Sequence, residues 1–238
     1  MIDCHLYQIV HTLGGAIYHL EEHLKMLFEG YYEIYGTGVK ISQATVQEQI
    51  TTLLERSRCP KDVSLFIRCE LTRSGQIKVS EHERSLYRGY SLRCISPRAA
   101  IIEFHMPHIE FPTSVRDEMI EFANAQALRK GGDVALRTHN GVIDLINGAQ
   151  IFAVTPQGLI TAANSFTPEH RLAKLAAREL EINVIERPIR IGDMPLIDEL
   201  FYVDHYGVTA IRTCAMQSFM SITASALATR LAALMAER

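Results

Sequence analysis

Residues 133–162 read DVALRTHNGVIDLINGAQIFAVTPQGLITA, and this stretch decides the fold. Apolar runs of strand length are separated by Asn140-Gly141 and by Pro156-Gln157-Gly158, which are residues that favour tight turns. The stretch therefore predicts a series of short strands joined by tight turns.

Helices flank this series of strands. A helical segment at 114–130 ends at Gly131-Gly132, and a second at 168–181 begins with Thr167 as its N-cap and a proline at its first helical position. The segments INVIERPI and ELFYVD follow, and a final helix at about 217–237 completes an α+β pattern.

The first half of the chain also alternates helices with strands and predicts a separate α/β unit. Leucine and phenylalanine recur at helical spacing after residue 20, Ser42 is a typical N-cap, and Ser74-Gly75 is a hairpin signal. The predicted elements are a strand at 3–12, its return at 16–20, helices at 20–36 and 43–57, a hairpin at 63–81 and a strand at 90–96.

The composition is typical of a soluble globular protein. Of the 238 residues, 47% are hydrophobic, which suits one large or two small domains, and no apolar run reaches the ~18–20 residues of a membrane helix. The 24 basic and 27 acidic residues are dispersed, so neither a nucleic acid nor a membrane partner is expected. Five scattered cysteines without a Cys-x-x-Cys pair indicate no disulfide framework and no zinc site, and we expect a cytoplasmic location.

The order of the segments carries a resemblance over nearly the whole chain. A strand hairpin leads into HLEEHLKML, and then follow a TRSG hairpin, a helix into GGDVAL, NGAQIFAV, GLITA, INVIERPI and DELFYV. This order resembles the class IV aminotransferases, the fold-type IV pyridoxal-phosphate enzymes that include branched-chain and D-amino-acid aminotransferases and 4-amino-4-deoxychorismate lyase. The resemblance implies an α+β (α/β two-domain) fold. A small N-terminal α/β domain (1–108) would precede a larger C-terminal domain with a barrel-like sheet (109–238).

The resemblance also implies where a cofactor lysine should stand. In the family this lysine precedes the helix that leads into Gly-x-Asp-x-Ala-Leu, and counting back from Asp133 brings it to Thr113 in FPTSVRDEM (111–119). A Schiff base to pyridoxal phosphate requires a primary amine, and Arg116 is no substitute because its guanidinium stays protonated. The family's phosphate-binding arginine falls on Met26.

Other cofactor positions of the family are replaced as well. The glutamate that pairs with the pyridine nitrogen falls on Leu145 and a following asparagine falls on Gln150, while Asp144 is expected on the opposite face of the strand. The phosphate-binding helix start and turn fall on Thr167-Pro168 and around Asp204. Proline removes an N–H donor there, and the acidic residues would repel a dianion.

We therefore predict a class IV aminotransferase-like pseudoenzyme that binds no pyridoxal phosphate and whose fold serves as a ligand-binding or dimeric scaffold. One alternative is an active pyridoxal-phosphate aminotransferase or 4-amino-4-deoxychorismate lyase with a displaced lysine, and another is acid–base chemistry by Asp204-His205-Tyr206. We interpret all six lysines as surface charges: Lys25, Lys40, Lys61, Lys78, Lys130 and Lys174.

The candidate ligand-binding residues are basic, and they would favour a small anion such as a carboxylate. They are Arg68, Arg73, Arg137, His139 and His205. No metal site is predicted, because the spacing of His105 and His108 has no third ligand. We expect a homodimer, since a partner usually completes the family's cleft and the C-terminal SFMSITASALATRLAALMAE is apolar on more than one helix face.

Overall fold

A computed structural model describes residues 4–236, which group into two compact units. One unit contains the described residues up to Gly89 together with His108–Asp117, and the other contains Tyr90–Pro107 together with the described residues from Glu118 onward. The predicted domain limits have a single border after residue 108, whereas the chain passes between the units more than once.

The first unit is a four-stranded antiparallel sheet with two helices. Its elements are β1 (Leu6–Leu13), β2 (Ala16–Ile17), α1 (Leu20–Tyr35), α2 (Gln43–Ser57), β3 (Ser64–Leu71) and β4 (Ile77–Ser85). The strand order is β2-β1-β3-β4. Apolar side chains of α1 and α2, such as Leu24 and Ile50, join Val10 and Ile67 of the sheet in one core.

Most predicted elements of this unit are present. Ser42 caps α2 by accepting a hydrogen bond from the Thr45 amide at 3.2 Å, and β1 agrees with the predicted strand 3–12, of which residue 3 lies outside the described residues. The predicted strand at 90–96 is wrong. Only Leu92 forms an isolated bridge there, and Pro97 lacks the N–H that a longer ladder would need.

The second unit contains an eleven-stranded sheet and the remaining helices. Its elements are β5 (Arg98–Glu103), α3 (Ser114–Arg129), β6 (Val134–His139), β7 (Val142–Ile146), β8 (Ala149–Thr155), β9 (Gly158–Thr161), α4 (Pro168–Glu179), β10 (Val184–Glu186), β11 (Ile189–Arg190), β12 (Glu199–Asp204), β13 (Gly207–Ala210), β14 (Thr213–Cys214), β15 (Gln217–Ser218) and α5 (Ile222–Ala236). The first residues of α3 belong to the first unit.

The strands of this sheet follow the order β10-β9-β8-β7-β6-β5-β14-β15, with β11 on β7 and with β12 on both β8 and β13. The turn at Asn140-Gly141 has positive φ at both residues, as its sequence predicts. The predicted helix 217–237 begins later because Gln217-Ser218 form β15, and residue 237 lies outside the described residues. Within residues 4–236, no helix is long and apolar enough to cross a membrane.

Candidate functional site

Thr113, the position expected for the cofactor lysine, caps a helix. It immediately precedes α3, is 4% exposed, and forms an isolated bridge with Leu6. Its Oγ1 accepts a hydrogen bond from the Arg116 amide at 3.0 Å, which satisfies one of the free N–H groups at the start of the helix. The side chain therefore supports α3 and presents a hydroxyl group, not an amine.

Arg116 is a buried cation in the first turn of α3. It is 5% exposed, and its Nη1 donates to the Ile109 carbonyl at 3.0 Å. Its Nε has no hydrogen-bond partner among residues 4–236, and within that range its guanidinium forms no ion pair. The nearby Asp117 carboxyl group feels this charge, because Arg116 lowers the pKa of Asp117, but it does not form a direct ion pair with it. Sequence reasoning considered Arg116 only as a failed substitute for lysine and missed its burial.

A second polar cluster of the first unit joins β1 to the start of α3. The Tyr7 hydroxyl donates to Asp117 Oδ1 at 2.5 Å, and the Arg68 guanidinium lies 3.6 Å from the centroid of the Tyr7 ring. Burial and then the Asp117 charge raise the pKa of Tyr7 above its usual value, and burial raises the pKa of Asp117. Arg68 also pairs with Glu70 at 2.9 Å, so this predicted ligand-binding residue already has a counter-charge.

A β-bulge sets the orientation of Asp144 in the second unit. Arg137 pairs with Leu145 while Thr138 pairs with Ile143, so Asp144 is an extra residue in β7. Its Oδ2 accepts a hydrogen bond from Arg137 Nη1 at 2.5 Å, which places Asp144 on the face of Arg137 and Leu145. The prediction that Asp144 faces away from Leu145 is therefore wrong, because simple alternation does not hold across a bulge. Burial raises the pKa of Asp144, and Arg137 opposes that shift.

Gln150, the predicted counterpart of the family's asparagine, is a buried structural residue. Its Nε2 donates to the Asn164 carbonyl at 2.7 Å, and its Oε1 accepts a hydrogen bond from the Phe166 amide at 2.6 Å. Gln150 is 2% exposed. Both ends of its amide therefore hold the loop between β9 and α4.

Two acids, the buried Glu169 and the half-buried Asp204, lie near the N-terminus of α4, where the family resemblance puts a phosphate group. Thr167 is the N-cap and Pro168 is the first helical residue, as the sequence predicts. Burial raises the pKa of Glu169 to about 7, although its own amide and the Thr167 hydroxyl donate to it. Burial also raises the pKa of Asp204 to about 6, and its Oδ1 accepts a hydrogen bond from the Tyr206 amide at 2.9 Å. The helix N-terminus, a natural anion site, thus already binds a carboxyl group of the chain itself.

Lys174 corrects the interpretation of all lysines as surface charges. It is 6% exposed, and its Nζ donates to the Ala163 carbonyl at 2.6 Å and pairs with Glu186 at 3.3 Å. The other lysines are exposed, namely Lys25, Lys40, Lys61, Lys78 and Lys130.

Met26, at the predicted phosphate-binding position, is half-buried on α1.

The five basic residues predicted to bind a ligand are divided between the units. Arg68 and Arg73 belong to the first unit, and Arg137, His139 and His205 belong to the second. Arg73 is exposed, and Arg137 is 4% exposed and paired as described above.

The histidines of the second unit lie beside polar or aromatic neighbours. His139 Nδ1 lies 3.4 Å from a Glu103 carboxylate oxygen and the His205 ring lies 4.1 Å from the Tyr206 ring, measured between centroids. Among the described residues there is no group of three or more His, Cys, Asp or Glu side chains that could hold a metal ion.

Solved structures share this fold, although no protein-family model and no curated protein sequence matches the chain. A branched-chain aminotransferase from the thermophilic archaeon Thermoproteus uzoniensis, solved with norvaline, is 18% identical with a TM-score of 0.77, covering 95% of this chain and 84% of that one. An aminotransferase from Brucella abortus bound to pyridoxal phosphate is 14% identical with a TM-score of 0.77, covering 98% and 89%. A putative 4-amino-4-deoxychorismate lyase from Legionella pneumophila is 15% identical with a TM-score of 0.74, covering 91% and 85%. The chain therefore has the class IV aminotransferase fold, and this prediction is confirmed.

Proposed function

We propose that this chain is a ligand-binding protein built on the class IV aminotransferase fold, without a Schiff base to pyridoxal phosphate and without transaminase activity. The observation that carries the proposal is Thr113. Where the family resemblance implies a lysine, the first unit has a buried hydroxyl group that caps α3. Schiff-base formation needs a primary amine, which this position does not supply.

The residues at the expected phosphate positions do not fit the cofactor. Met26 carries no charge, Pro168 has no N–H to donate, and the two acids Glu169 and Asp204 disfavour a nearby dianion. Each lost contact to a charged group costs about 1.5–3 kcal/mol, so the loss of three or four weakens binding by roughly three or more powers of ten. Asp144, beside Leu145, remains an acid near the expected pyridine position, but it is paired with Arg137.

A second candidate function, an active pyridoxal-phosphate aminotransferase or lyase with a displaced lysine, rests on Lys174. Its amine is the one buried lysine amine of the described residues, as a Schiff-base lysine would be. Against this candidate, Glu186 and the Ala163 carbonyl already hold the amine. An ammonium group in an ion pair is not a nucleophile.

Borohydride reduction separates the two candidates. The purified protein is incubated with pyridoxal phosphate, its absorbance spectrum is recorded before and after reduction, and the modified lysine is sought by peptide mapping. We expect no stoichiometric adduct in the wild-type protein and none with Thr113→Lys alone, whereas Thr113→Lys combined with Met26→Arg and Leu145→Glu should recover part of it. A wild-type adduct on Lys174 that Lys174→Arg removes, and that the exposed control Lys25→Arg does not, would favour the second candidate.

Arg116 supports a small anion, such as a carboxylate, as the ligand. A buried guanidinium that interacts with Asp117 but has no direct ion pair among residues 4–236 gains a closer counter-charge when it binds an anion. Succinate and its uncharged analogue succinamide test this point: only succinate should raise the melting temperature, and Arg116→Gln should remove the effect. Arg56→Gln, at an exposed arginine of the same unit that is not a candidate ligand-binding residue, is the control. Equal shifts with both compounds would contradict an anionic ligand.

A homodimer in a cytoplasmic location is also part of the proposal. Helix α5 buries Leu227 and Leu231 within the chain but leaves Ile222 71% exposed, so apolar surface remains for a partner. All five cysteines are free, which suits a reducing compartment. Light scattering at micromolar protein concentration tests the assembly, and a mass of 26.8 kDa would contradict the homodimer.

A further inference from the structure

The outward face of α3 carries large apolar side chains that are mostly exposed. The inward face of this helix packs against residues of β5 and β6 through Ala123 and Ala127, which are 2% and 0% exposed. On the outward face, Phe122 is 64% exposed and Leu128 is 63% exposed. Neighbouring apolar side chains that remain in water are typical of a protein interface, and a phenylalanine among them is a typical anchor. The outward face of α3 is therefore a candidate interface.

Four exposed residues form a straight stripe along this face. Successive members are four, three and four positions apart, which places them on one side of a helix. They are Glu118, Phe122, Ala125 and Arg129, which we call the α3 stripe. The α3 stripe thus begins with an acid and ends with a base, and an aromatic residue and a small residue lie between them. Within residues 4–236, neither of the two charged members forms an ion pair.

The α3 stripe is complementary to itself when two copies of the helix run in opposite directions. A twofold axis perpendicular to the helices, midway between Phe122 and Ala125, places Glu118 opposite the partner's Arg129. The same axis places Phe122 opposite the partner's Ala125. Each contact then occurs twice, because a twofold interface uses the same surface of both copies. The small alanine leaves room for the aromatic ring, so the helix axes can approach to the ~8–10 Å of packed helices.

The charges of α3 also select the direction of the partner helix. In a parallel pair each residue would face its own copy, so Glu118 would face the partner's Glu118 and Arg129 would face the partner's Arg129. Like charges that face each other across an interface are unfavourable. A second copy of this chain in antiparallel orientation supplies opposite charges by necessity, because α3 itself carries both.

We propose that a second copy of this chain packs its α3 antiparallel against this α3, with the α3 stripe at the centre of the interface. The inference rests on the homodimer of the proposed function and assigns a surface to it. A stable interface buries about 800 Å² on each partner, which is more than a single stripe provides. Exposed residues beside the stripe, such as Glu121 and Leu128, therefore belong to the interface as well.

Charge reversal tests the antiparallel pairing in the full chain. Sedimentation equilibrium gives the dissociation constant of the dimer for wild type, Glu118→Arg, Arg129→Glu and the double variant that carries both changes. Each single change turns two attractive pairs into repulsive pairs and should weaken the dimer about tenfold. The double variant restores both attractions with their signs exchanged, and its dissociation constant should lie within about threefold of the wild-type value.

Removal of the aromatic ring tests the apolar centre. Phe122→Ser removes a ring from both copies at once and should weaken the dimer at least about tenfold. Tyr32→Ser is the matched control, because Tyr32 is an aromatic residue of α1 with a similar exposed fraction, 61%. The control should leave the dissociation constant unchanged. Far-UV circular dichroism checks that both variants remain folded.

The possible outcomes separate this inference from the homodimer on which it rests. A dimer that keeps its wild-type strength in both single reversals would overturn the inference, and so would a double variant no stronger than the single variants. A dimer that Ile222→Ser weakens and Phe122→Ser does not would place the interface on α5, which overturns the inference and keeps the homodimer. A wild-type mass of 26.8 kDa up to millimolar concentration would overturn both.

Discussion

Replacing His23 with glutamine should change how the free energy of unfolding depends on pH. His23 is 1% exposed in the first unit, and its Nδ1 lies 2.9 Å from Gln8 Oε1. Burial, and then the nearby His19 and His11, lower the pKa of His23 from 6.5 to about 3. As pH falls, the unfolded chain therefore takes up this proton before the folded chain does. The stability that neutral His23 contributes is complete well above pH 6.5 and is lost as pH falls from 6.5 toward 3.

The size of this effect follows from linkage. With these two pKa values, one histidine costs about 2 kcal/mol of stability between about pH 7.5 and about pH 5. Urea unfolding of wild type and His23→Gln, followed by far-UV circular dichroism, measures the free energy of unfolding of each protein. The value for wild type minus the value for His23→Gln should fall by about 2 kcal/mol as pH falls over this range. Taking the difference cancels the titration of acids elsewhere. Thr51→Ala, an exposed and non-titrating change in α2, is the control. A His23→Gln difference that stays constant across this pH range would refute the reasoning.

Substitutions at Glu169 and Gly158 test how a buried acid and a crowded glycine of the second unit affect the free energy of unfolding. Glu169→Gln should raise the free energy of unfolding by about 3 kcal/mol at about pH 8, because burial raises the folded pKa to about 7 and makes the charged form unfavourable. This gain should shrink as pH falls through 7 toward the ordinary glutamate pKa of 4.5, which urea unfolding at several pH values checks. Gly158→Ala should cost about 3 kcal/mol, because φ is +139° and a Cβ would lie 2.3 Å from the Asn183 carbonyl oxygen. Gly141→Ala, at φ +75° with open space around it, should cost only about 1 kcal/mol, and equal losses on thermal unfolding would contradict the steric argument.

Local signals in the sequence were enough to predict most elements and the fold. Ser42 and Thr167 cap α2 and α4, and Asn140-Gly141 forms its turn, because each of these features depends on residues only a few positions apart. The order of such segments then led to the class IV aminotransferase fold. Counting back from Asp133 also led to Thr113, which the structure places immediately before α3.

Only the tertiary structure decided which side chains are buried and which ones meet. Asp144 shares a face with Leu145 because β6 and β7 pair through a bulge, and a strand read alone carries no sign of its partner's register. Tyr7 and Asp117 are 110 positions apart in sequence, and they meet because β1 and the start of α3 come together. Lys174 is charged, and the sequence therefore predicts it at the surface, but its packing supplies Glu186 as a counter-ion. Sequence periodicity determines which face of an element is apolar, whereas burial and long-range pairing depend on what other parts of the chain place against that face.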